Sequence, residues 1–260
     1  MLSVVAGPDD SDPVSLPPLG RNYLAAARST DRLSGLKVAY SADLGYVERI
    51  DSGVRTAFRD AIGRFADLGI VLKEDCPAVG NPIHDWNTLV AADSYASDGD
   101  LLASDRLGDD AREMIKAGLQ VTGPAYAGAR NKQMAFAAKW SHFMRDYDLM
   151  LTPTMECVAF PLGRVRPEFL GGKRLGDEYT EIACTPSDDS SMFCIAANMT
   201  GQPAITVPMG LAEDGLPVGL QIIGRRFEDD LVLRAAAAWE RISPWPRPGA
   251  FSGAGRLTNG

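Results

Sequence analysis

Histidine is nearly absent. His84 and His142 are the only two in 260 residues, which leaves little for imidazole catalysis or metal ligation. Cysteine is scarce too: Cys76, Cys157, Cys184 and Cys194 show no CxxC spacing, so no metal site is expected. Their apolar surroundings read as buried free thiols, which suits a reducing cytoplasm. There is no block of basic residues. The net charge of -8 is spread along the chain, which argues against nucleic acid and anionic membranes as partners. No apolar run is long enough to span a bilayer, and no basic leader precedes an apolar stretch. No glycine cluster is followed by Lys-Ser/Thr, so a phosphate cradle and a bound nucleotide are not expected, nor is any other cofactor. What is present is ordinary: 45% apolar and 23% charged residues, enough for a soluble protein with a sizeable core.

The chain is well punctuated. Met1 to Gly7 reads as the last turn of a helix closed by glycine, and Pro8 to Pro18 as a polar, proline-rich connector. Leu36 to Tyr40 is a short strand. Ser52 opens an amphipathic helix with Val54, Ala57, Phe58, Ala61, Ile62 and Phe65 at helical spacing. Gly69 ends it and Ile70-Val71-Leu72 begins a second strand, a βαβ unit that implies parallel pairing within a mixed sheet. Helical segments follow near 84–97 and 109–117. A long helix from about Pro124 to Arg145 has Met134, Ala138 and Ser141 on one face and delivers the chain into the apolar strand Asp148–Leu151. Residues 161–187, rich in Gly, Pro and charge, read as a long excursion. Asp188 or Asp189 caps a helix running from Ser191 to Met199 and ending near Gly201. Two buried strands then flank the turn at Asp214-Gly215, a helix at 228–241 covers the sheet, and a Pro/Gly-rich tail runs from Pro244 to Gly260.

Several residues invite a catalytic reading that their context does not support. Ser190-Ser191 is the only Ser-Ser pair, yet its neighbours are Asp188, Asp189 and Met192, with no glycine to admit a substrate carbonyl. A helix N-terminus explains both the serines and the adjacent carboxylates. Lys37 reads as an exposed strand end. His142, on the long helix beside Trp140, reads as a packed or surface residue, and nothing positive supports a triad through it.

Asn198-Met199-Thr200-Gly201-Gln202-Pro203-Ala204-Ile205-Thr206-Val207-Pro208, followed by Leu216 to Arg226, resembles the closing hairpin of the amidase signature family. Tyr147-Asp148-Leu149-Met150-Leu151-Thr152-Pro153-Thr154 looks like that family's strand beside the active-site mouth, and Val4 to Asp9 with Asp12-Pro13 is similar to its passage just after the catalytic core. The resemblance implies an α/β fold, a mixed β-sheet flanked by helices on both faces, over residues 1–243. It implies hydrolysis of a carboxamide to a carboxylate plus ammonia or an amine, with a small-molecule amide as substrate. It also places Thr152, Thr154, Asn198 and Gln202 near substrate; for Asn198, satisfaction of backbone groups at a helix end competes with that role.

The family's Ser-Ser-Lys machinery and its glycine-flanked serine pair have no counterpart among these motifs. The expectation is therefore a C-terminal part of an amidase-like domain: truncated, without catalytic residues and inactive alone. It would be completed by a separate N-terminal half or by self-association. Two alternatives stand beside it: a non-catalytic binding or assembly module derived from an amidase, and a subunit resembling the tRNA-dependent amidotransferase A chain.

Overall fold

The computed structural model describes residues 1–29, 33–164, 167–175 and 191–245. Among them, the strands are β1 (Lys37–Tyr40), β2 (Val71–Glu74), β3 (Leu149–Pro153), the two-residue strands β4 (Phe169–Leu170) and β5 (Lys173–Arg174), β6 (Ala204–Leu211) and β7 (Pro217–Gly224). The main sheet has the order β2-β1-β3-β7-β6, while β4 and β5 pair separately. β1 pairs in parallel with both β2 and β3, and β7 runs antiparallel to β3 and β6. The expected βαβ unit is therefore present, and the sheet is mixed.

The helices are α1 (Leu2–Val5), α2 (Tyr23–Ala27), α3 (Ser52–Ala66), α4 (Ile83–Asp98), α5 (Asp109–Gly118), α6 (Gly123–Phe143), α7 (Met192–Thr200) and α8 (Asp229–Ile242). In α3 the periodic stripe Val54, Ala57, Phe58, Ala61 and Phe65 is buried, as an amphipathic crossover helix requires. Gly69, at φ 74°, makes the turn into β2, a conformation costly for any residue with a Cβ. Thr122 caps α6 by accepting from the Ala125 N–H at 3.3 Å, and Pro124 fits the first turn, where no N–H is needed. The buried side of α6 is Ala129, Phe136 and Trp140; Met134, Ala138 and Ser141 share its solvent face.

Register assigns the helices to the two faces of the sheet. Thr152 lies opposite Gln221, whose side-chain amide donates to Thr152 Oγ1 at 3.0 Å and to the Phe193 carbonyl of α7 at 3.1 Å. Those two side chains therefore share the face that α7 covers. One residue out of step, Gly224 lies on the opposite face, where an added Cβ would come within 2.6 Å of Val232 in α8. Every position of β3 is buried, because both faces are covered.

β6 forms one edge of this sheet and carries Pro208 with a register shift between Pro208 and Gly210, devices that discourage further strand pairing. β2, at the other edge, carries Lys73 and Glu74. The Asp75 that follows accepts from Lys73 Nζ at 2.8 Å and from the Tyr147 hydroxyl at 2.5 Å, tying the β2 edge to the segment after α6. These hydrogen bonds, Lys73's first and Tyr147's second, hold the Asp75 carboxyl below its ordinary value. A folded-state pKa below the unfolded one adds stability above the unfolded value near 4, which is lost as pH falls through the folded value. Asp75→Asn is accordingly expected to lower stability at neutral pH by about 1 kcal/mol or less, since the site is partly exposed. It should also flatten the acid limb of the stability–pH curve; urea midpoints from neutral pH down to about pH 3 check this.

Candidate active site

Because β1 and β3 are parallel, their carboxyl ends open on the same side of the sheet, the usual place for ligands in α/β folds. The segment leaving β1 turns at once. Ser41 Oγ accepts from the Leu44 N–H at 2.8 Å, and Leu44 and Gly45 both take positive φ, of 52° and 71°. This turn aims Tyr46 at the head of α7, where its hydroxyl donates to the Met192 carbonyl at 3.4 Å. The segment leaving β3 is held alongside: the Asp51 N–H donates to the Glu156 carbonyl at 2.9 Å, and Asp51 Oδ1 accepts from the Gly171 N–H at 2.8 Å.

Between these segments lies a cleft of 170 Å³, lined among others by Tyr46, Arg49, Asn81, Glu156 and Met192. A second cleft, of 210 Å³, shares Asn81 and reaches Asp85, Lys132 and Met199. There Lys132 Nζ meets Asp85 at 2.9 Å. Glu156 is wholly buried. Burial first, and then the charge of Glu156, push the Tyr46 hydroxyl and the Cys194 thiol up. Cys157 is pushed up to about 12 by burial, then by Asp51 and Glu156. These thiols are held protonated, which disfavours a thiolate nucleophile here.

The four residues placed near substrate by resemblance do not share this cleft. Thr152 is fully buried and donates to the Pro153 carbonyl at 2.8 Å, while Gln202 is buried at the end of α7 and accepts from Thr200 Oγ1 at 3.1 Å. Thr154 is half-buried and donates to Thr206 Oγ1 at 3.2 Å. Asn198 is exposed and donates to the Cys194 carbonyl one turn back at 2.8 Å, the backbone role that competed with substrate contact.

Lys37 is exposed at its strand end, His142 is exposed on α6, and Ser191 occupies the N-cap position of α7. Asp188, Asp189, Ser190 and Cys184 lie outside the described residues. Cys76, Cys157 and Cys194 are free, and no metal-holding group of His, Cys, Asp or Glu occurs among the described residues. Motif reading passed over Tyr46, Asn81, Glu156 and Met192. One signal was available: Glu156 is a lone charge in Met155-Glu156-Cys157-Val158-Ala159-Phe160.

The family model described as Amidase matches residues 1–233. The chain belongs to the amidase family. An acylamidase of Rhodococcus erythropolis is 34% identical over 94% of this chain and 50% of its own length. A glutamyl-tRNA(Gln) amidotransferase subunit of Chloroflexus aggregans is 28% identical over 94% of this chain and 52% of its own. The structure of 6-aminohexanoate cyclic dimer hydrolase superposes with a TM-score of 0.74 at 25% identity, over 95% of this chain and 53% of that one. A bacterial aryl acylamidase of the amidase signature family shares the fold, with a TM-score of 0.74 at 23% identity over 92% and 49% of the two chains. The chain spans about half the length of the curated relatives it matches.

This match corrects the reading of the chain as a C-terminal part only. The amidase assignment runs from residue 1 to residue 233 as one continuous match. The expectations that hung on that reading fall with it: a truncated scaffold without a catalytic region, a derived non-catalytic module, and completion by a separate N-terminal half or by self-association. That reading rests on the absence of a glycine-flanked Ser-Ser pair and its lysine among a few short motifs, whereas the family match draws on residues 1–233 as a whole, the helical stretches between the motifs included.

Proposed function

We propose that this amidase-family chain acts in amide hydrolysis, adding water across the C–N bond of a small carboxamide. The acyl carbon gains an oxygen from water, the C–N bond breaks, and nitrogen leaves as ammonia or an amine carrying the proton. The supporting observation is the family match over residues 1–233. The polar cleft at the carboxyl ends of β1 and β3 is the place where this reading puts one end of the substrate.

Thr154 and Asn198, which reach solvent, serve in this reading as substrate contacts, while buried Thr152 and Gln202 hold the wall behind them. Among the described residues no helix is long and apolar enough to cross a membrane. The free thiols favour the cytoplasm as the compartment.

The test is release of ammonia or amine from a panel of aliphatic and aryl amides by the purified chain. Turnover above buffer is expected. A chain that melts cooperatively yet releases nothing from any of them rules the reading out.

A further inference from the structure

The 210 Å³ cleft carries a cation that no acidic group answers. It shares Asn81 with the 170 Å³ cleft. Asn81 follows β2, whose carboxyl end opens on the same side of the sheet as those of β1 and β3. Phe136 and Met199, both buried, give the space an apolar floor. Lys132 and Lys139 line it from the same face of α6 as Phe136, four residues before it and three after. Asp85, the one acidic side chain among the described residues of the lining, pairs with Lys132 Nζ at 2.9 Å. Lys139, exposed at the rim, has no hydrogen bond or ion pair with any described residue. Asn81 adds a neutral donor. Its Oδ1 accepts from the Ile83 N–H at 3.0 Å where α4 begins, which sets the orientation of the amide and leaves Nδ2 free to donate.

We infer that this cleft receives a carboxylate-bearing end of the substrate, with Lys139 as the counter-ion and Asn81 Nδ2 as a second donor. The inference rests on the amide-hydrolase reading and deepens it: the substrates are small amides carrying a carboxylate remote from the scissile bond, their methylene groups lying on Phe136 and Met199. Two ammonium groups against one carboxylate leave a single positive charge in the lining, which matches a monoanion. The chain's net charge of -8 opposes an anion at long range, so a preference for one has to come from these local donors. Lys139 determines specificity and takes no part in bond breaking. Because it is solvated, its pairing is worth a factor of about five rather than hundreds.

Two measurements separate this inference from the reading beneath it. In the first, sodium pentanoate and pentan-1-ol are titrated calorimetrically into the purified chain near neutral pH and at low ionic strength. Saturable pentanoate binding is expected, with pentanol weaker by about fivefold. Lys139→Gln, a change at an exposed position, should remove that preference. Asp85→Asn, which removes the opposing carboxylate, should tighten pentanoate binding, and Lys116→Gln on α5 should leave it unchanged. Equal binding of the two probes, no pentanoate binding, or a preference that survives Lys139→Gln overturns the anion cleft.

In the second, the monoamide of adipic acid is compared as a substrate with 6-methylheptanamide, in which an isopropyl group stands in place of the carboxylate. A preference for the carboxylate in kcat/KM of about fivefold is expected, carried by KM and lost in Lys139→Gln. Hydrolysis of both amides at equal efficiency overturns the anion cleft and leaves the hydrolase reading intact. Pentanoate binding that depends on Lys139, with neither amide cleaved, does the reverse.

Discussion

Trp239→Ala is expected to cost about 3–5 kcal/mol, a large share of the roughly 5–15 kcal/mol that holds a typical domain together. Trp239 is wholly buried and stacks on Phe65 with ring centroids 5.2 Å apart. The Arg64 guanidinium lies 5.1 Å from its ring centroid, and its indole N–H donates to the Pro208 carbonyl at 2.8 Å. One side chain thus joins α8 to α3 and to the edge strand β6. Truncation removes the apolar burial, opens a cavity between these elements and leaves the Pro208 carbonyl without that donor. Arg64 keeps its bonds to Met209 O at 2.6 Å and Ser243 Oγ at 2.8 Å, so it has other anchors. Urea unfolding measures the loss. Trp239→Phe, which retains an aromatic ring, is expected to recover more than half of it, and a loss below about 1 kcal/mol for Trp239→Ala would contradict the packing described.

Gly118→Ala is expected to cost about 3 kcal/mol, against the usual direction for glycine in a helix. An added Cβ there would lie 2.2 Å from the Ala91 carbonyl oxygen and 2.4 Å from Tyr95 Cβ, both on α4. The first obstacle is main chain, so relief requires α5 to move away from α4 rather than a rotamer change. Gly128→Ala in α6 is the matched control: nothing lies within 4 Å of its added Cβ, and a gain of up to about 1 kcal/mol is expected. Opposite signs for the two variants in thermal or urea unfolding support the α4–α5 contact; equal signs refute it.

Much of the fold was legible because its signals are local. The α3 stripe, Gly69 after it and the apolar run of β3 state their own structure through spacing. The β6–β7 hairpin was equally readable from two apolar runs around Asp214-Gly215, where Gly215 takes φ 79°. The candidate site was not readable in that way. Tyr46 meets Met192 across 146 positions, and Asn81 and Glu156 enter the same cleft from two further segments. The four residues suggested by resemblance lie on or beside the hairpin and β3, where sequence likeness was densest, and only Thr154 and Asn198 reach solvent.

By itself, the sequence determined the class of fold, its amidase-like character and the order of its elements, since periodicity, turn residues and family motifs are written along the chain. Only the tertiary structure decided which helix covers which face, which glycines are packed too tightly to change, and that Glu156 lies buried in a charged cleft. Those facts depend on distances between residues far apart in sequence. Such distances are fixed when the sheet closes and the helices dock, not by any local pattern.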